Sequence, residues 1–291
     1  MTPDATTNRS LPGRPRHAVP AGACDCHAHV FGPPAIYPTR PNPKYQPLPN
    51  AGPEEYDALH RRLGIDRGVL VQASIYGFDH ACLIDAMTRI GPRVRGVGVI
   101  DPGATSDAEI ERLHRAGIRG ARLNIEQGLG LAALESLADR IRDAGWHLQL
   151  WVAKAEEWVE IETRLRKLRL PIVIDHMGRV RGGTRLDAAP VRTVMGLLAD
   201  GLAWVKASWA ESLSAEPYPY PDVELLAQAL IAARPDRVLW GTDWPHPAPT
   251  PLALPDDARL LDLLGRWVPD EATRRLILVD NPARLYGFDA A

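Results

Sequence analysis

Residues 171–201 read PIVIDHMGRVRGGTRLDAAPVRTVMGLLADG and join a short apolar run to a helical pattern. The run Pro171–Asp175 has the continuous β-branched character of a strand that is buried on both faces. In Val191–Asp200, apolar residues recur with i, i+3 and i+4 spacing, and Gly201 follows where a helix commonly ends on a left-handed glycine. This stretch therefore predicts one strand followed by one helix.

The same alternation of strand and helix patterns extends along the chain in both directions. Helical periodicity recurs, for example, in Glu54–Leu63, Ser106–Ala116 and Glu156–Leu168. Strands that alternate with helices pair in parallel, and eight of them close a barrel. The predicted strands are Cys24–His29, Gly68–Gln72, Arg95–Ile100, Arg119–Asn124, His147–Val152, Pro171–Asp175, Ala203–Ala207 and Arg237–Thr242.

We therefore predict an α/β fold, a single-domain (β/α)8 TIM barrel over residues 21–291, preceded by a disordered N-terminal extension over residues 1–20. A doubly wound open sheet is the alternative fold. That fold usually carries a glycine-rich phosphate turn after its first strand, and the sequence has none there.

Composition excludes several classes of function. The 291 residues carry 34 Lys+Arg against 36 Asp+Glu, so there is no basic surface for nucleic acid. No apolar run approaches the ~18 residues of a membrane-spanning helix, and the first twenty residues lack the apolar segment of a secretory signal. Three cysteines are too few to staple a chain of this size. We expect a cytoplasmic enzyme that contacts neither nucleic acid nor membrane.

The prolines indicate where the pocket lies. Of 27 prolines, sixteen fall within 33–53, 217–221 and 245–255, and each of these segments follows a predicted strand. Loops after strands form the C-terminal face of a barrel, which is where barrel enzymes hold their sites. We predict that these loops are semi-rigid walls of a pocket.

Candidate site histidines lie at the ends of two predicted strands, the first and the sixth. DCHAH ends the first strand, and a period of two places His27 and His29 on one face, roughly 7 Å apart along the strand. The sixth strand delivers His176 to the same face of the barrel. Imidazoles so placed can hold one metal ion or polarise one carbonyl group.

The eighth strand runs into WGTDWPHP, where Asp243 lies just beyond the strand end. A carboxylate in an apolar cleft rich in histidine is a plausible general base. Trp240 and Trp244, on either side of Asp243, are expected to restrict access of water to it.

The segments DCHAHVFGP, VIDHMGR and WGTDWPHP, with the closing VDNPARLYGF, resemble the amidohydrolase superfamily. They are most similar to the branch that contains 2-pyrone-4,6-dicarboxylate lactonase, sugar-acid lactonases and lactone isomerases. The resemblance extends from about Ala21 to Phe288. It implies a (β/α)8 barrel and hydrolysis of a C–O bond in a lactone, a cyclic ester of a small carboxylated or sugar-derived acid.

The resemblance also implies roles for individual residues. Asp243 would take a proton from the attacking water, while His27, His29 and His176 would stabilise the oxyanion, directly or through a metal. Arg122 and Arg179 would hold a carboxylate or a ring oxygen, and Tyr45 would close over the substrate. The implied substrate-contacting residues are Tyr45, Ser74, Arg122, Trp151 and Arg179.

The sequence departs from the dicarboxylate lactonase at three positions. Gly128 and Ser212 stand where arginines would bind substrate carboxylates, and Trp151 stands where a tyrosine is expected. We therefore predict a substrate with at most one carboxylate, with Trp151 as a flat wall against its ring.

The metal and the reaction type stay open at this stage. His27, His29, His176 and Asp243 would suffice for one Zn²⁺, yet lactonases of this branch can also work without metal. The segments Gln149–Val152 and Val205–Ser208, at the fifth and seventh strands, supply no bridging His or Glu, and Lys154 is expected to point to solvent. The alternatives are a metal-dependent decarboxylase, a lactone isomerase and a non-catalytic binding barrel. We expect a monomer or small homo-oligomer whose partner is a small-molecule lactone.

Overall fold

The computed structural model describes residues 12–124, 129–247 and 254–289, and eight parallel strands dominate it. The strands are hydrogen-bonded in chain order from first to last. All eight predicted strands are confirmed, with ends shifted by no more than two residues. They are β1 (Cys24–Ala28), β2 (Arg67–Val71), β3 (Val94–Gly98), β4 (Ile118–Asn124), β5 (His147–Trp151), β6 (Ile172–Ile174), β7 (Ala203–Ala207) and β8 (Val238–Trp240).

A helix follows each strand and covers the outside of the sheet. Ser106 caps one of these helices by accepting a hydrogen bond from the backbone N–H of Glu109, as its spacing predicts. The helices are α1 (Pro53–Leu63), α2 (Ala81–Ile90), α3 (Asp107–Arg115), α4 (Leu134–Arg142), α5 (Glu157–Leu165), α6 (Ala189–Ala199), α7 (Ala210–Leu213), α8 (Pro221–Ala233), α9 (Asp257–Trp267), α10 (Glu271–Arg275) and α11 (Asn281–Tyr286).

The sheet closes between β8 and β1. The N–H of Asp243 donates to the carbonyl of His27 over 2.8 Å, and the N–H of His29 donates to the carbonyl of Trp244 over 2.7 Å. The predicted (β/α)8 barrel is thereby confirmed as a single-domain fold. Its closing seam carries three of the residues singled out for chemistry, His27, His29 and Asp243.

Strand β1 contains a bulge that the sequence pattern does not reveal. Asp25 lies opposite Gly68, whereas Ala28 lies opposite Leu70, so β1 holds one residue more than β2 over this interval. The extra residue changes the alternation of faces, and His27 then points into the barrel on the same side as His29.

Asp25 lies on the other side of the bulge and faces the helices. Its carboxylate accepts hydrogen bonds from the N–H of Thr242 over 2.9 Å, from the Thr242 hydroxyl over 2.6 Å and from the Tyr56 hydroxyl over 3.4 Å. One buried carboxylate thus fastens β8 to β1 and α1 to both.

Within the predicted extension, residues 12–20 lie on the barrel surface. The N–H of Gly13 donates to Asp256 over 3.0 Å, and that of Arg16 donates to Asp262 over 2.7 Å. These bonds attach the segment to the start and middle of α9. The remaining residues of the extension, 1–11, lie outside the described residues. Among the described helices, none is long and apolar enough to cross a membrane.

Candidate active site

Three histidines surround one carboxylate at the C-terminal end of the barrel. Oδ1 of Asp243 lies 3.5 Å from Nε2 of His27, 3.7 Å from Nε2 of His29 and 3.9 Å from Nε2 of His176. The His27 ring lies 5.1 Å from that of His29 and 4.5 Å from that of His176. The structure therefore brings together the four residues predicted as the polar cluster, which we call the histidine–Asp243 cluster.

Local structure explains how Asp243 and His176 reach this position. Both have left-handed backbone angles, with φ 62° and φ 50°. Few residues other than glycine adopt this region, and strain of this kind is found mainly where surrounding structure holds a functional side chain in place. The backbone bond from Asp243 to His27 supplies that constraint for the carboxylate.

Burial sets the charge of the cluster. It lowers the pKa of His176 to about 4 and the pKa of His27 well below its usual range, so both rings are neutral at pH 7. Burial alone would raise the pKa of Asp243, but the nearby His176, His29 and His27 outweigh it and hold this pKa below its usual range. Asp243 is therefore an anion among neutral imidazoles, which is the state that a general base requires.

A second polar layer lies directly beneath the cluster, inside the barrel. Lys206, which is fully buried, donates from Nζ to Oε1 of Gln149 over 2.8 Å and lies 3.2 Å from Nδ1 of His27. Asp175 accepts from Nε2 of Gln149 over 3.1 Å and from Nε of Arg122 over 3.0 Å. Burial opposes ionisation of Asp175, but Lys206 and Arg122 outweigh it and hold the pKa of this carboxyl well below its usual range.

Arg122 and Trp151, both predicted to contact substrate, also contact residues of the barrel. Nε of Arg122 is bonded to Asp175, so this buried guanidinium neutralises a carboxylate of the barrel. The guanidinium carbons of Arg122 and Arg179 lie 5.0 Å and 4.5 Å from the Trp151 ring centre. Trp151 also contacts the His176 ring, edge to face, at 5.0 Å. Two guanidinium groups therefore lie against the ring that we predicted as a flat wall for the substrate, and its contact with substrate stays a prediction.

Arg179 bounds a cavity beside the cluster. It donates from Nη1 to the carbonyl of Val152 over 2.7 Å and lies 5.4 Å from the Trp209 ring centre. The cavity has a volume of about 310 Å³, and its charged lining residues are Lys154, Arg179, Arg181 and Glu156. Three cations and one carboxylate give the lining a net positive charge, which is suited to an anionic group of a ligand.

Tyr45 and Ser74 meet at the opposite wall. The Ser74 hydroxyl donates to the Tyr45 hydroxyl over 3.3 Å, and the Tyr45 ring packs edge to face on Phe31 at 6.1 Å. Tyr45 comes from the proline-rich loop after β1, as predicted. Burial raises the pKa of Tyr45, so its hydroxyl is neutral and able to donate a hydrogen bond.

A buried charged triad flanks Asp243 on the side of α7. Nε2 of His246 lies 3.0 Å from Asp257, and its Nδ1 lies 3.6 Å from Glu211. Burial opposes protonation of His246, but Asp257 and Glu211 outweigh it and raise its pKa to about 10. This imidazolium ties the loop after β8 to α7 and α9.

Two tryptophans do not have the predicted role. Trp240 and Trp244 belong to the core between barrel and helices, and the Trp244 ring lies 5.5 Å from that of Tyr56 on α1. Trp240 follows the inward-facing Leu239, so strand alternation turns it outward. The aromatic neighbours of the cluster are Trp151 and Trp209, each with its ring centre 5.0 Å from that of His176.

Of the two positions where an arginine was expected, the structure describes one, Ser212. Ser212 is buried in α7, and its carbonyl accepts from Nη1 of Arg181 over 2.6 Å, so a guanidinium does approach it from another element. Gly128 lies outside the described residues.

Sequence reasoning gave no role to several residues around the cluster. Gln149 and Lys206 alternate with apolar residues on strands, and only the closed barrel shows that their side chains meet. Asp175 and His246 both stand in the quoted motifs, beside residues that we did select. The sequence did contain one signal for this polar layer, a lysine inside an otherwise apolar strand. An unpaired buried charge is costly, so such a lysine indicates that polar partners lie nearby.

The cluster can accommodate a divalent ion. Nε2 of His27 and Nε2 of His176 are buried without a hydrogen-bond partner, and both face Asp243. His27, His29 and Asp243 also present ligand atoms within 4.8 Å of one another. Imidazole nitrogens with one carboxylate are a donor set suited to Zn²⁺.

Comparisons with known proteins agree with this geometry. The family model described as amidohydrolase matches residues 24–288. Over 277 residues the chain is 38% identical to 4-sulfomuconolactone hydrolase of Rhizobium radiobacter, covering 93% of the chain and 91% of the relative. It is 36% identical to a 2-pyrone-4,6-dicarboxylate hydrolase of Comamonas testosteroni, covering 94% and 93%.

A third relative and a solved structure extend the comparison. D-galactarolactone isomerase of Agrobacterium fabrum is 34% identical, with 96% of both chains covered. The apo crystal structure of a protein from Agrobacterium tumefaciens superposes with a TM-score of 0.88 at 32% identity, covering 95% of this chain and 100% of the other. From the family match, the relatives and the shared barrel, the chain belongs to the amidohydrolase family.

Proposed function

We propose that the chain is a hydrolase that opens a lactone of a small carboxylated or sugar-derived acid. The observation that carries this proposal is a buried, anionic Asp243 whose Oδ1 lies within 3.9 Å of Nε2 of three histidines at the mouth of the barrel. An ester carbonyl needs an activated water and a partner for the developing negative oxygen, and the histidine–Asp243 cluster offers both. The relatives named as lactone hydrolases support the same reaction class.

In this mechanism, Asp243 takes a proton from water as the water attacks the lactone carbonyl carbon. The C–O bond of the ring then breaks, and the departing oxygen receives the proton that Asp243 took from water, which gives the open hydroxy acid. His27 and His176, whose rings lie 4.5 Å apart, would donate hydrogen bonds to the carbonyl oxygen as it gains charge. Tyr45 and Ser74 would contact the ring from the opposite wall.

A divalent ion, where bound, would polarise the carbonyl oxygen as a Lewis acid. His27, His29 and Asp243, whose ligand atoms lie within 4.8 Å of one another, would hold it. The proton transfers assigned to Asp243 do not depend on this ion.

The cavity that Arg179 bounds supports an acidic substituent on the substrate. Its lining has a net positive charge from Lys154, Arg179 and Arg181 against Glu156. A lactone with at most one carboxylate, of the aldonic, aldaric or muconic type, is favoured over a pyrone dicarboxylate, because Ser212 stands where the resemblance implies a further arginine.

Lactone isomerisation is the second candidate function. The relative named as an isomerase supports it, because Asp243 could deprotonate a hydroxyl of the substrate in place of water. The two reactions differ in their products, since hydrolysis adds one water to the mass and isomerisation leaves the mass unchanged.

The test is a panel of lactones assayed with purified protein, with product masses and metal content measured on the same preparation. We expect ring opening with gain of water for at least one carboxylated or sugar-derived lactone. Asp243→Asn serves as the inactive control. Ring migration without water gain would favour the isomerase, and carbon dioxide release from an acid substrate would favour a decarboxylase.

A further inference from the structure

Glu211 places a second buried carboxyl group beside Asp243. It lies in α7, shortly after the end of β7, on the face of the barrel that also carries the histidine–Asp243 cluster. Its side chain is only 1% exposed, and neither Oε1 nor Oε2 has a hydrogen-bond partner in the part of the chain that the structure describes. Buried polar atoms are nearly always hydrogen-bonded, so two unpaired acceptors on one side chain indicate a bound partner.

Three polar groups converge at this place. One carboxyl oxygen of Glu211, one of Asp243 and a ring nitrogen of His246 all lie within 4.8 Å of one another. Nε2 of His246 is taken by Asp257 at 3.0 Å, whereas its Nδ1 lies 3.6 Å from Oε1 of Glu211, which is too long for a hydrogen bond. Among the described residues Nδ1 has no hydrogen-bond partner either. Two neighbours of Asp243 therefore direct buried, unpaired atoms to its flank.

The separation of the two carboxyl groups suits one water molecule. The two O–H bonds of water diverge by about 105° and each O–H···O hydrogen bond is about 2.75 Å long, so a water that donates to two oxygens holds them about 4.4 Å apart. The oxygens of Glu211 and Asp243 are no more than 4.8 Å apart. With Nδ1 of His246, the place offers about three polar partners, the number typical of a buried water.

A water held by both carboxyl groups is oriented for attack on a carbonyl group. Its two protons point at Glu211 and Asp243, so a lone pair of its oxygen points away from both. Asp243 takes one proton as the new C–O bond forms, while Glu211 keeps its hydrogen bond and fixes the angle of approach. This role does not depend on the charge of Glu211, because a protonated carboxyl group retains acceptor capacity.

We propose that Glu211 is a catalytic residue that binds the attacking water together with Asp243 and directs the lone pair of the water at the lactone carbonyl carbon. The catalytic consequence rests on the proposed lactone hydrolysis. The water site itself does not depend on the reaction.

The water site is tested by a crystal structure of the full-length protein at a resolution that shows ordered waters, with anomalous data at the zinc edge. We expect one water within about 3 Å of a carboxyl oxygen of Glu211 and of one of Asp243. The proposal is overturned if no water bridges the two residues, or if an anomalous peak shows a metal ion in that place.

Two variants test the link to activity. Glu211→Leu removes both acceptors at similar size, and Glu211→Gln keeps one acceptor oxygen; Glu216→Leu, on the exposed loop after α7, is the matched control. A reacting group misplaced by about 1 Å can cost ~10²-fold, so we expect kcat of Glu211→Leu to fall by about that factor. KM should change little, because the proposal gives Glu211 no contact with the lactone. Glu211→Gln should lie between Glu211→Leu and the wild type, and Glu216→Leu should match the wild type. An unchanged kcat in Glu211→Leu refutes the role.

Competition between methanol and water separates this role from a purely structural one. Methanol has a single O–H group, whose proton Asp243 takes and passes to the departing ring oxygen as the methyl ester forms. Methanol therefore needs no second acceptor. The ratio of methyl ester to hydroxy acid should be higher for Glu211→Leu than for the wild type. A reduced kcat with an unchanged ratio would show that Glu211 only supports the fold.

The proposed function and the role of Glu211 fail separately. A wild-type protein that hydrolyses no lactone refutes the proposed function, and the crystal structure still decides whether the water site exists. A lactonase without a bridging water, or with full activity in Glu211→Leu, keeps the function and refutes the role of Glu211. If Glu211→Leu does not fold, Glu211→Gln and the wild-type crystal structure decide the proposal.

Discussion

Replacement of Asp243 by asparagine is the perturbation that separates chemistry from folding most cleanly. Asn keeps the size and shape of Asp but cannot take a proton. It is also, with Asp, among the residues that best tolerate left-handed backbone angles, and Asp243 has φ 62°. The backbone hydrogen bond to His27 does not involve the side chain and is retained.

The expected magnitudes follow from the charges around the residue. Removal of a general base costs ~10²–10⁴ in rate, which corresponds to about 2.7–5.4 kcal/mol of transition-state stabilisation. Asn keeps the shape of the side chain but loses the stabilisation that the histidines give to the carboxylate, the same interaction that holds the pKa of Asp243 below its usual range. We therefore expect a folded variant whose free energy of unfolding at pH 7 is lower than that of the wild type.

The assay is the steady-state hydrolysis of whichever lactone proves best, with Tm and circular dichroism recorded on both proteins. A variant that keeps the wild-type circular dichroism spectrum and unfolds well above the assay temperature, with a kcat reduced by at least ~10², supports the role of Asp243 as the base. If the variant keeps more than about half of the wild-type activity, another residue activates the water and the mechanism is wrong.

Three further predictions concern the metal, the substrate and pH. Chelator-treated protein should take up no more than one equivalent of Zn²⁺, because the other donor groups share His27 or Asp243 with the set His27, His29 and Asp243; elemental analysis showing two ions would contradict this. A lactone with one carboxylate should have a higher kcat/KM than 2-pyrone-4,6-dicarboxylate, and parity between them would remove the argument from Gly128 and Ser212. The raised pKa of His246, about 10, stabilises the fold fully below pH ~6.5, and this contribution is lost as pH rises through about 10. Urea unfolding at pH 7 and 10 should therefore show a larger loss of stability for the wild type than for His246→Asn, and equal losses would refute the triad with Glu211 and Asp257.

The fold could be predicted from sequence because its signals are local and repeated. Each strand is a short apolar run, and glycines mark the ends of several helices; Gly117, Gly145 and Gly201 all have the positive φ that their positions predict. Closure of eight such units then follows from the number and parallel pairing of the strands. Residues 12–20 behave differently, since they are ordered by single hydrogen bonds to α9 that composition does not encode.

The site could be predicted only in part. Some of its residues lie at strand ends, which the sequence pattern locates, whereas others lie within strands and meet only in the closed barrel. His176 and Asp243 follow strand ends, so the geometry of a parallel barrel brings them together once the strands are known. The polar layer below them depends on which side chains face inward on strands far apart in sequence, such as Gln149 and Lys206, which lie 2.8 Å apart across the barrel. No spacing along the chain reports that distance.

The bulge in β1 shows most directly why a correct prediction can rest on incomplete reasoning. A period of two correctly places His27 and His29 on one face, but by the same rule Asp25 would join them there. The extra residue between Asp25 and Ala28 sends Asp25 outward to Thr242 and leaves His27 inside, above Lys206. Without the bulge, either the carboxylate that fastens the closing seam or the ring that faces Asp243 would be on the wrong side. One additional residue in a strand therefore gives two nearby polar side chains different roles. Asp25 fastens the closing seam on the outer face of the barrel, and His27 belongs to the candidate site inside it.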